Sequence, residues 1–230
     1  MIVTMERNKD TEVKRVLRTE AAELRVREAA EGENSRTITG YAILFNTPSA
    51  PLWADDDSEA REIIAPEAIT KELLDGCDIK FTMFHDRQLI LARSKQGSGT
   101  LSYKVDSKGV CFEFEAPQTA DGDKALELVR RGDISGCSFA FTTRYWDRDF
   151  VERTSKVVNG TTMITYTVKG ITGVYDFTLA ADPAYPDTSV EARQLREALQ
   201  EVAPEPIQPN NEKMRMQVRE MRRAAKQNLL

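Results

Sequence analysis

Apolar and polar residues alternate along most of the chain with the two-residue period that is typical of β-strands. In residues 110–116, for example, Phe112 and Phe114 fall on one face of the predicted strand, while Glu113 and Glu115 fall on the other. Asn159-Gly160 separates two such runs and is a strong signal for a two-residue hairpin turn. The pattern predicts strands over residues 22–26, 36–45, 79–84, 100–105, 110–116, 150–158, 161–168 and 171–181, and over the apolar run that follows Gly136.

Two short stretches favour helices instead. Pro66 is placed to open a helix that runs to Leu74, because proline is tolerated in a first helical turn. Residues 123–131 form the second predicted helix, with Gly132 as its C-terminal cap. Many short strands and few helices predict an α+β, mainly β fold, with an antiparallel barrel-like or sandwich core decorated by a few helices.

The two ends of the chain differ in pattern from its middle. Residues 1–19 carry many charges without a clean period, so they are predicted to form a flexible lead before a main domain over residues 20–188. Beyond it we expect a helix over residues 189–202, a linker with three prolines over residues 203–211, and a basic amphipathic tail over residues 212–230. Such a tail could dock on acidic protein surfaces or be removed.

The composition describes a globular protein. The chain has 230 residues, of which 40% are hydrophobic and 30% charged, so it is long enough to bury a core. No apolar run approaches the roughly 20 residues that span a bilayer, and the first 18 residues are charged rather than apolar. We therefore expect no membrane partner and a location in the cytosol in which the protein is made.

The net charge and the cysteine content argue against several kinds of binding site. A net charge of −5 argues against a general nucleic-acid-binding protein. The three cysteines are odd in number and lack Cys-x-x-Cys spacing, which argues against a disulfide framework or a zinc site. The acidic run 55–57 is interpreted as a solvated loop rather than a metal site. The sequence gives no reason to expect a metal or an organic cofactor.

One serine and the single histidine are the candidates for chemistry. Ser138 comes just after Gly136, where a small-residue turn would expose its hydroxyl and the following strand would fix its position. A serine hydroxyl is a poor nucleophile until a base takes its proton, and histidine suits that task near neutral pH. The chain has one histidine, so Ser-His chemistry here must use His85.

Five blocks of sequence, in order and at the right spacing, carry a family resemblance. They are Thr39-Gly40-Tyr41-Ala42 with Phe45-Asn46, the Glu62 to Ile69 block around Pro66, Phe84-His85-Asp86 with Leu91-Ala92-Arg93-Ser94, the Arg130 to Phe141 block around Ser138, and the Tyr175 to Thr188 block with Pro183-Ala184-Tyr185. With these blocks the sequence resembles the prohead (capsid maturation) proteases of tailed bacteriophages, which are related in fold to the herpesvirus assemblins. Glu67, Ala92 and Asp176 depart from the residues that are common in that family.

The resemblance implies an assemblin-like barrel and a serine endopeptidase that acts through an acyl-enzyme. Its implied substrates are the N-terminal scaffolding region of the major capsid protein, or a separate scaffold protein, and the protease itself. It also implies a protein of the host cell cytoplasm that is packaged inside the prohead, and that could dimerise. A different class of function, a non-catalytic assembly factor that binds scaffold through the basic tail, stays open at this point.

The residues alone leave the third catalytic group undecided. Glu113, Glu115 and Asp176 all fall on polar faces of predicted strands and could orient His85. We prefer Glu115 and then Asp176, because each lies on a strand that we expect beside the Ser-His pair. Cys137 is a rival nucleophile, but adjacent strand residues point to opposite faces, and the family block places Ser138 toward the histidine.

Overall fold

The computed structural model describes residues 10–19, 22–28 and 35–180. These residues contain fourteen strands, two α-helices and one 3-10 turn, Pro66–Ala68. The helices are α1 Lys71–Gly76 and α2 Ala120–Arg131. The strands are β1 Val13–Thr19, β2 Arg25–Val26, β3 Thr37–Leu44, β4 Trp53–Ala54, β5 Ser58–Ile64, β6 Asp78–Met83, β7 Asp86–Lys95, β8 Ser98–Gly99, β9 Leu101–Val105, β10 Gly109–Glu115, β11 Gly136–Thr143, β12 Val151–Val158, β13 Thr161–Val168 and β14 Gly173–Ala180.

The strands form three sheets. A six-stranded sheet has the order β1-β11-β14-β6-β7-β8, and two four-stranded sheets have the orders β2-β3-β10-β9 and β12-β13-β5-β4. Two neighbouring pairs run parallel, β14 with β6 and β13 with β5, while the other paired strands run antiparallel. The predicted α+β, mainly β class is confirmed, and the three sheets do not close into a barrel.

A cluster of phenylalanines joins the six-stranded sheet to the sheet that contains β10. The ring of Phe81 on β6 lies 4.5 Å, centroid to centroid, from both Phe112 and Phe114 on β10, and 6.5 Å from Phe177 on β14. All four side chains are buried. Large aromatic side chains contribute strongly to a core, so this cluster fixes which face of β6 and β14 points inward.

Strand β1 corrects the prediction of a flexible lead over residues 1–19 for residues 13–19, whereas residues 1–9 lie outside the described residues. Val13–Thr19 pairs with β11 along its full length, and Arg15, Leu17 and Thr19 are buried. The sequence pattern concealed this strand because one of its inward positions is a charged residue. Arg15 donates a hydrogen bond of 2.8 Å to Glu62, which lies 47 positions away and is also buried.

Other elements differ from the prediction in their bounds. Pro66 opens only a 3-10 turn, and the helix starts after Thr70, whose side chain accepts a hydrogen bond from the Leu73 N–H. Thr119 caps the second helix in the same way through Gly122, so that helix begins at Ala120. The acidic run 55–57 is the turn between two strands that the pattern does not predict, β4 and β5. Asp55 builds the turn between them by accepting N–H groups of Asp57 and Ser58.

The predictions for the end of the chain lie outside the described residues. They are the helix over residues 189–202, the linker over residues 203–211, the basic tail over residues 212–230 and most of the last sequence block. The division of the chain into these segments stays a prediction.

Candidate active site

Ser138, His85 and Asp176 lie in one line of hydrogen bonds. The Nε2 atom of His85 is 2.9 Å from the Ser138 hydroxyl oxygen, across 53 positions of sequence. The Nδ1 atom of the same ring is 3.0 Å from Oδ1 of Asp176. The imidazole is therefore held at both nitrogens, between a hydroxyl and a carboxylate.

The six-stranded sheet brings these residues together through its register. Ser138 on β11 lies opposite Thr178 on β14, and Thr178 lies opposite Thr82 on β6. Asp176 precedes Thr178 by two residues, so its side chain is on the same face of β14. His85 comes two residues after the end of β6. Ser138 and Asp176 thus lie on two adjacent strands of one sheet, and His85 lies in the turn that follows the next strand, β6.

His85 sits in a tight turn with an unusual backbone. Met83 and Asp86 pair across the β6-β7 hairpin, so Phe84 and His85 form its whole two-residue loop. Both residues have φ of 57°, the left-handed region, which costs a non-glycine residue about 1–2 kcal/mol. This backbone persists because β14 holds it: the Phe84 N–H donates to the Leu179 carbonyl at 3.0 Å.

Thr178 is the residue that positions the histidine backbone, and sequence reasoning missed it. Its hydroxyl oxygen accepts the His85 N–H at 2.9 Å and the Thr82 hydroxyl at 2.9 Å. It donates its own proton to the Thr82 carbonyl at 3.0 Å. Both threonines are fully buried. The sequence offers only an indirect sign of this role. Thr178 lies two residues after Asp176 on an alternating strand, so the two side chains share a face.

The hydrogen bonds determine which ring nitrogen can act as a base. An ionised carboxylate only accepts hydrogen bonds, so the proton of a neutral imidazole lies on Nδ1, toward Asp176. Nε2 is then an acceptor for the Ser138 proton, which is the arrangement that activates a serine hydroxyl. The Ser138 hydroxyl is also within 2.8 Å of a second acceptor, the Leu17 carbonyl oxygen.

The part of the chain that the structure describes holds no group of three or more His, Cys, Asp or Glu side chains that could bind a metal ion. None of its helices is long and apolar enough to cross a bilayer.

Comparison with known proteins decides the family. A family model described as caudovirus prohead serine protease matches residues 20–201. The chain belongs to the caudovirus prohead serine protease family. The family resemblance of its sequence blocks is confirmed, and the protease is a serine peptidase of bacteriophage capsid maturation.

Among solved structures, the bacteriophage T4 capsid assembly protease matches with a TM-score of 0.37 and 9% sequence identity, over 74% of this chain and 99% of that chain. No curated protein matches the chain.

The structure does not bring the preferred acid, Glu115, to the histidine. Glu115 is exposed at the end of β10, which pairs with β3 and β9 in a different sheet from Ser138 and His85. Glu113 on the same strand pairs with Arg27. The expectation for Glu115 is therefore corrected: Asp176, the second choice, is the carboxylate that contacts the imidazole of the protease.

Cys137 lies on the other face of β11 from Ser138 and is fully buried. Burial raises the pKa of the Cys137 thiol to about 12. A thiol needs to lose its proton to attack a carbonyl, so this residue is a poor nucleophile near neutral pH. The geometry favours Ser138 over its rival.

The first prediction concerns the positioning threonine. Thr178→Val removes the acceptor for the His85 N–H and the Thr82 hydroxyl, so kcat should fall by about 10- to 100-fold while KM changes little. The free energy of unfolding should drop by about 1–3 kcal/mol, because two buried donors lose their partner. Thr178→Ser keeps the hydroxyl and should restore most of kcat. Steady-state kinetics and urea unfolding of the three proteins measure both effects.

The second prediction concerns the two candidate nucleophiles. Cys137→Ala should retain proteolytic activity, because its thiol is buried on the face of β11 away from His85, while Ser138→Ala should abolish it. Both are measured by the rate of cleavage of a capsid-protein substrate. Loss of activity in Cys137→Ala with normal thermal unfolding, together with activity in Ser138→Ala, would assign the nucleophile to the cysteine.

Proposed function

We propose that this chain is a serine endopeptidase that cuts capsid or scaffold proteins, and itself, inside the prohead. Ser138 is the nucleophile, His85 the general base and acid, and Asp176 the group that orients the base. The observation that supports this assignment is the unbroken line of hydrogen bonds from Asp176 through His85 to Ser138, at 3.0 and 2.9 Å.

The proposed reaction passes through an acyl-enzyme. The Ser138 oxygen attacks the peptide carbonyl while Nε2 of His85 takes the hydroxyl proton, and the imidazolium then gives that proton to the leaving amine. Water attacks the resulting ester with the same base and releases Ser138. N–H groups of residues 136–139 would stabilise the oxyanion of the tetrahedral intermediate, as such donors do in other serine peptidases.

Asp176 has an electrostatic and a geometric role in this proposal. Its side chain is 14% exposed, so its charge is only partly screened by water. The carboxylate holds the proton on Nδ1 and stabilises the imidazolium that forms when His85 takes the serine proton. No step of this reaction uses a metal or an organic cofactor.

The proposed substrates follow from the family. We propose that the protease cuts the N-terminal scaffolding region of the major capsid protein or a separate scaffold protein, and that residues 20–188 form the protease domain. The basic segment over residues 212–230 would dock on acidic scaffold or capsid surfaces or be removed by self-cleavage. Packaging inside the prohead, from the host cell cytoplasm, would limit its action to that compartment, and the protease could dimerise there.

The third prediction tests the function. Co-expression with the capsid protein of the same phage should yield a shortened capsid protein with the unmodified protease and a full-length one with Ser138→Ala. Intact mass and N-terminal sequencing of the capsid protein report the cut site. A full-length capsid protein in both cases, in assembled shells, would instead favour the non-catalytic assembly factor.

The fourth prediction tests the third catalytic residue. Asp176→Asn keeps the shape of the side chain but favours the wrong imidazole tautomer, so kcat should fall by on the order of 10⁴-fold. Glu115→Gln is the matched control and should leave kcat unchanged, because this carboxylate lies in another sheet. Both are measured as single-turnover rates on the capsid-protein substrate, and equal losses in the two variants would contradict the role of Asp176.

A further inference from the structure

Strand β1 covers the candidate nucleophile. It lies antiparallel to β11 over seven residue pairs, with Arg18 directly opposite Ser138. Ser138 is only 5% exposed, although the imidazole of His85 beside it is 32% exposed. A peptide substrate must bring its carbonyl carbon to the Ser138 oxygen, so the surroundings of this serine have to open before it can react.

A main-chain carbonyl of β1 also competes for the serine proton. The Ser138 hydroxyl donates to the Leu17 carbonyl oxygen at 2.8 Å, while Nε2 of His85 lies 2.9 Å away on the other side. A hydroxyl has one proton, so donating it to Leu17 withholds it from the base. Leu17 thus presents an extended peptide carbonyl to the nucleophile, as a bound substrate does.

Alternate side chains of β1 are anchored in the body of the protein. Arg15 donates to Glu62 at 2.8 Å, and its guanidinium carbon lies 5.7 Å from the ring centre of Tyr145. Thr19 donates its hydroxyl proton to the Ala42 carbonyl at 2.7 Å. Main-chain pairing along an edge, with pockets for every second side chain, is how proteins bind extended peptides by adding a strand.

The position of β1 allows a substrate peptide to take its place beside β11. Among the strands that the structure describes, β1 is the edge strand of the six-stranded sheet and pairs with β11 alone, so its departure breaks no other pair of these strands. It also precedes residue 20, where the match to the prohead protease family begins.

We propose that the β11 edge is the peptide-binding groove of the protease, and that β1 fills this groove in the state described here. The groove takes an extended peptide with a basic side chain at the place of Arg15 and an aliphatic side chain at the place of Leu17, two residues later. This inference rests on the proposed function, because it specifies the substrate and the latency of the same site.

Glu62 sets the preference for a basic side chain. It is fully buried, its Oε2 pairs with Arg15, and the buried Tyr145 side chain also interacts with it. Removing one partner of a buried ion pair is strongly destabilising, so a peptide that supplies a positive charge at this point is favoured over one that does not. The place of Leu17 is buried in the hydrophobic core, which also contains Ile64 and Phe139, so an aliphatic side chain is preferred there.

The test measures peptide binding without catalysis. A fluorescent peptide that copies residues 12–20 is titrated into full-length protein carrying Ser138→Ala, combined with either Arg15→Met or Lys14→Met. Arg15→Met weakens the resident strand and leaves Glu62 without its cation. Lys14 is exposed, so Lys14→Met is a matched loss of charge on the same strand.

The peptide should bind at least about 10-fold more tightly to the Arg15→Met protein than to the Lys14→Met protein, because the competing strand is displaced more often. This gain should vanish for a peptide that carries Met in place of the arginine that corresponds to Arg15. Equal affinities in the two proteins, no binding to either, or a gain that does not depend on the peptide arginine would overturn the proposal.

A second variant covers the case in which Arg15→Met does not fold. Thr19→Val removes one anchoring hydrogen bond with little change of shape and should tighten peptide binding in the same direction, by a smaller factor. Because binding is measured without the nucleophile, the two proposals fail separately. If the capsid protein is processed but Arg15→Met does not change the affinity for the peptide, the groove proposal alone is overturned. If Arg15→Met strengthens peptide binding but the capsid protein is not processed, the peptidase proposal is overturned.

Discussion

The parallel pairing of β6 with β14 is the constraint on which the site depends. It sets Thr82 opposite Thr178, and β11 on the other side of β14 sets Ser138 opposite the same threonine. A slip of one residue would turn every side chain of a strand to the other face. The register is specified from the face that carries the phenylalanines, because Phe81 and Phe177 pack in the hydrophobic core and are fully buried. Packing on one face of the sheet thereby fixes the hydrogen-bond geometry on the other.

The turn that carries His85 has a backbone conformation that its two residue types disfavour. The β12-β13 hairpin uses Asn159-Gly160 for a two-residue turn with positive φ at both positions, the sequence that such a turn favours. The β6-β7 hairpin has the same backbone at Phe84 and His85, which local preference disfavours. The side chain of the second residue has to reach Ser138, so the turn carries a histidine there, and hydrogen bonds from β14 hold it in place. Strained backbone of this kind is found where a site requires it.

Sequence reasoning succeeded where the signal is local and failed where it is not. Strand alternation, the Asn159-Gly160 turn and the single histidine can all be seen in a short window of sequence. The choice between Glu115 and Asp176 could not, because both lie on alternating strands and only the pairing of strands far apart in sequence separates them. Strand β1 was missed for a similar reason: Arg15 looks like a surface residue until its partner, Glu62, is known.

The buried pair of Arg15 and Glu62 is better suited to selecting a strand than to stabilising one. Replacing a buried ion pair by apolar residues is often neutral or stabilising, whereas removing one partner typically costs about 3–5 kcal/mol. An incoming strand with a cation at this position restores the pair, so the exchange with β1 incurs no net cost at Glu62. A strand without that cation leaves Glu62 buried without its partner, and a cost of this size corresponds to a discrimination of more than 100-fold. Selectivity and latency at Ser138 would then have a common physical origin in one carboxylate of β5.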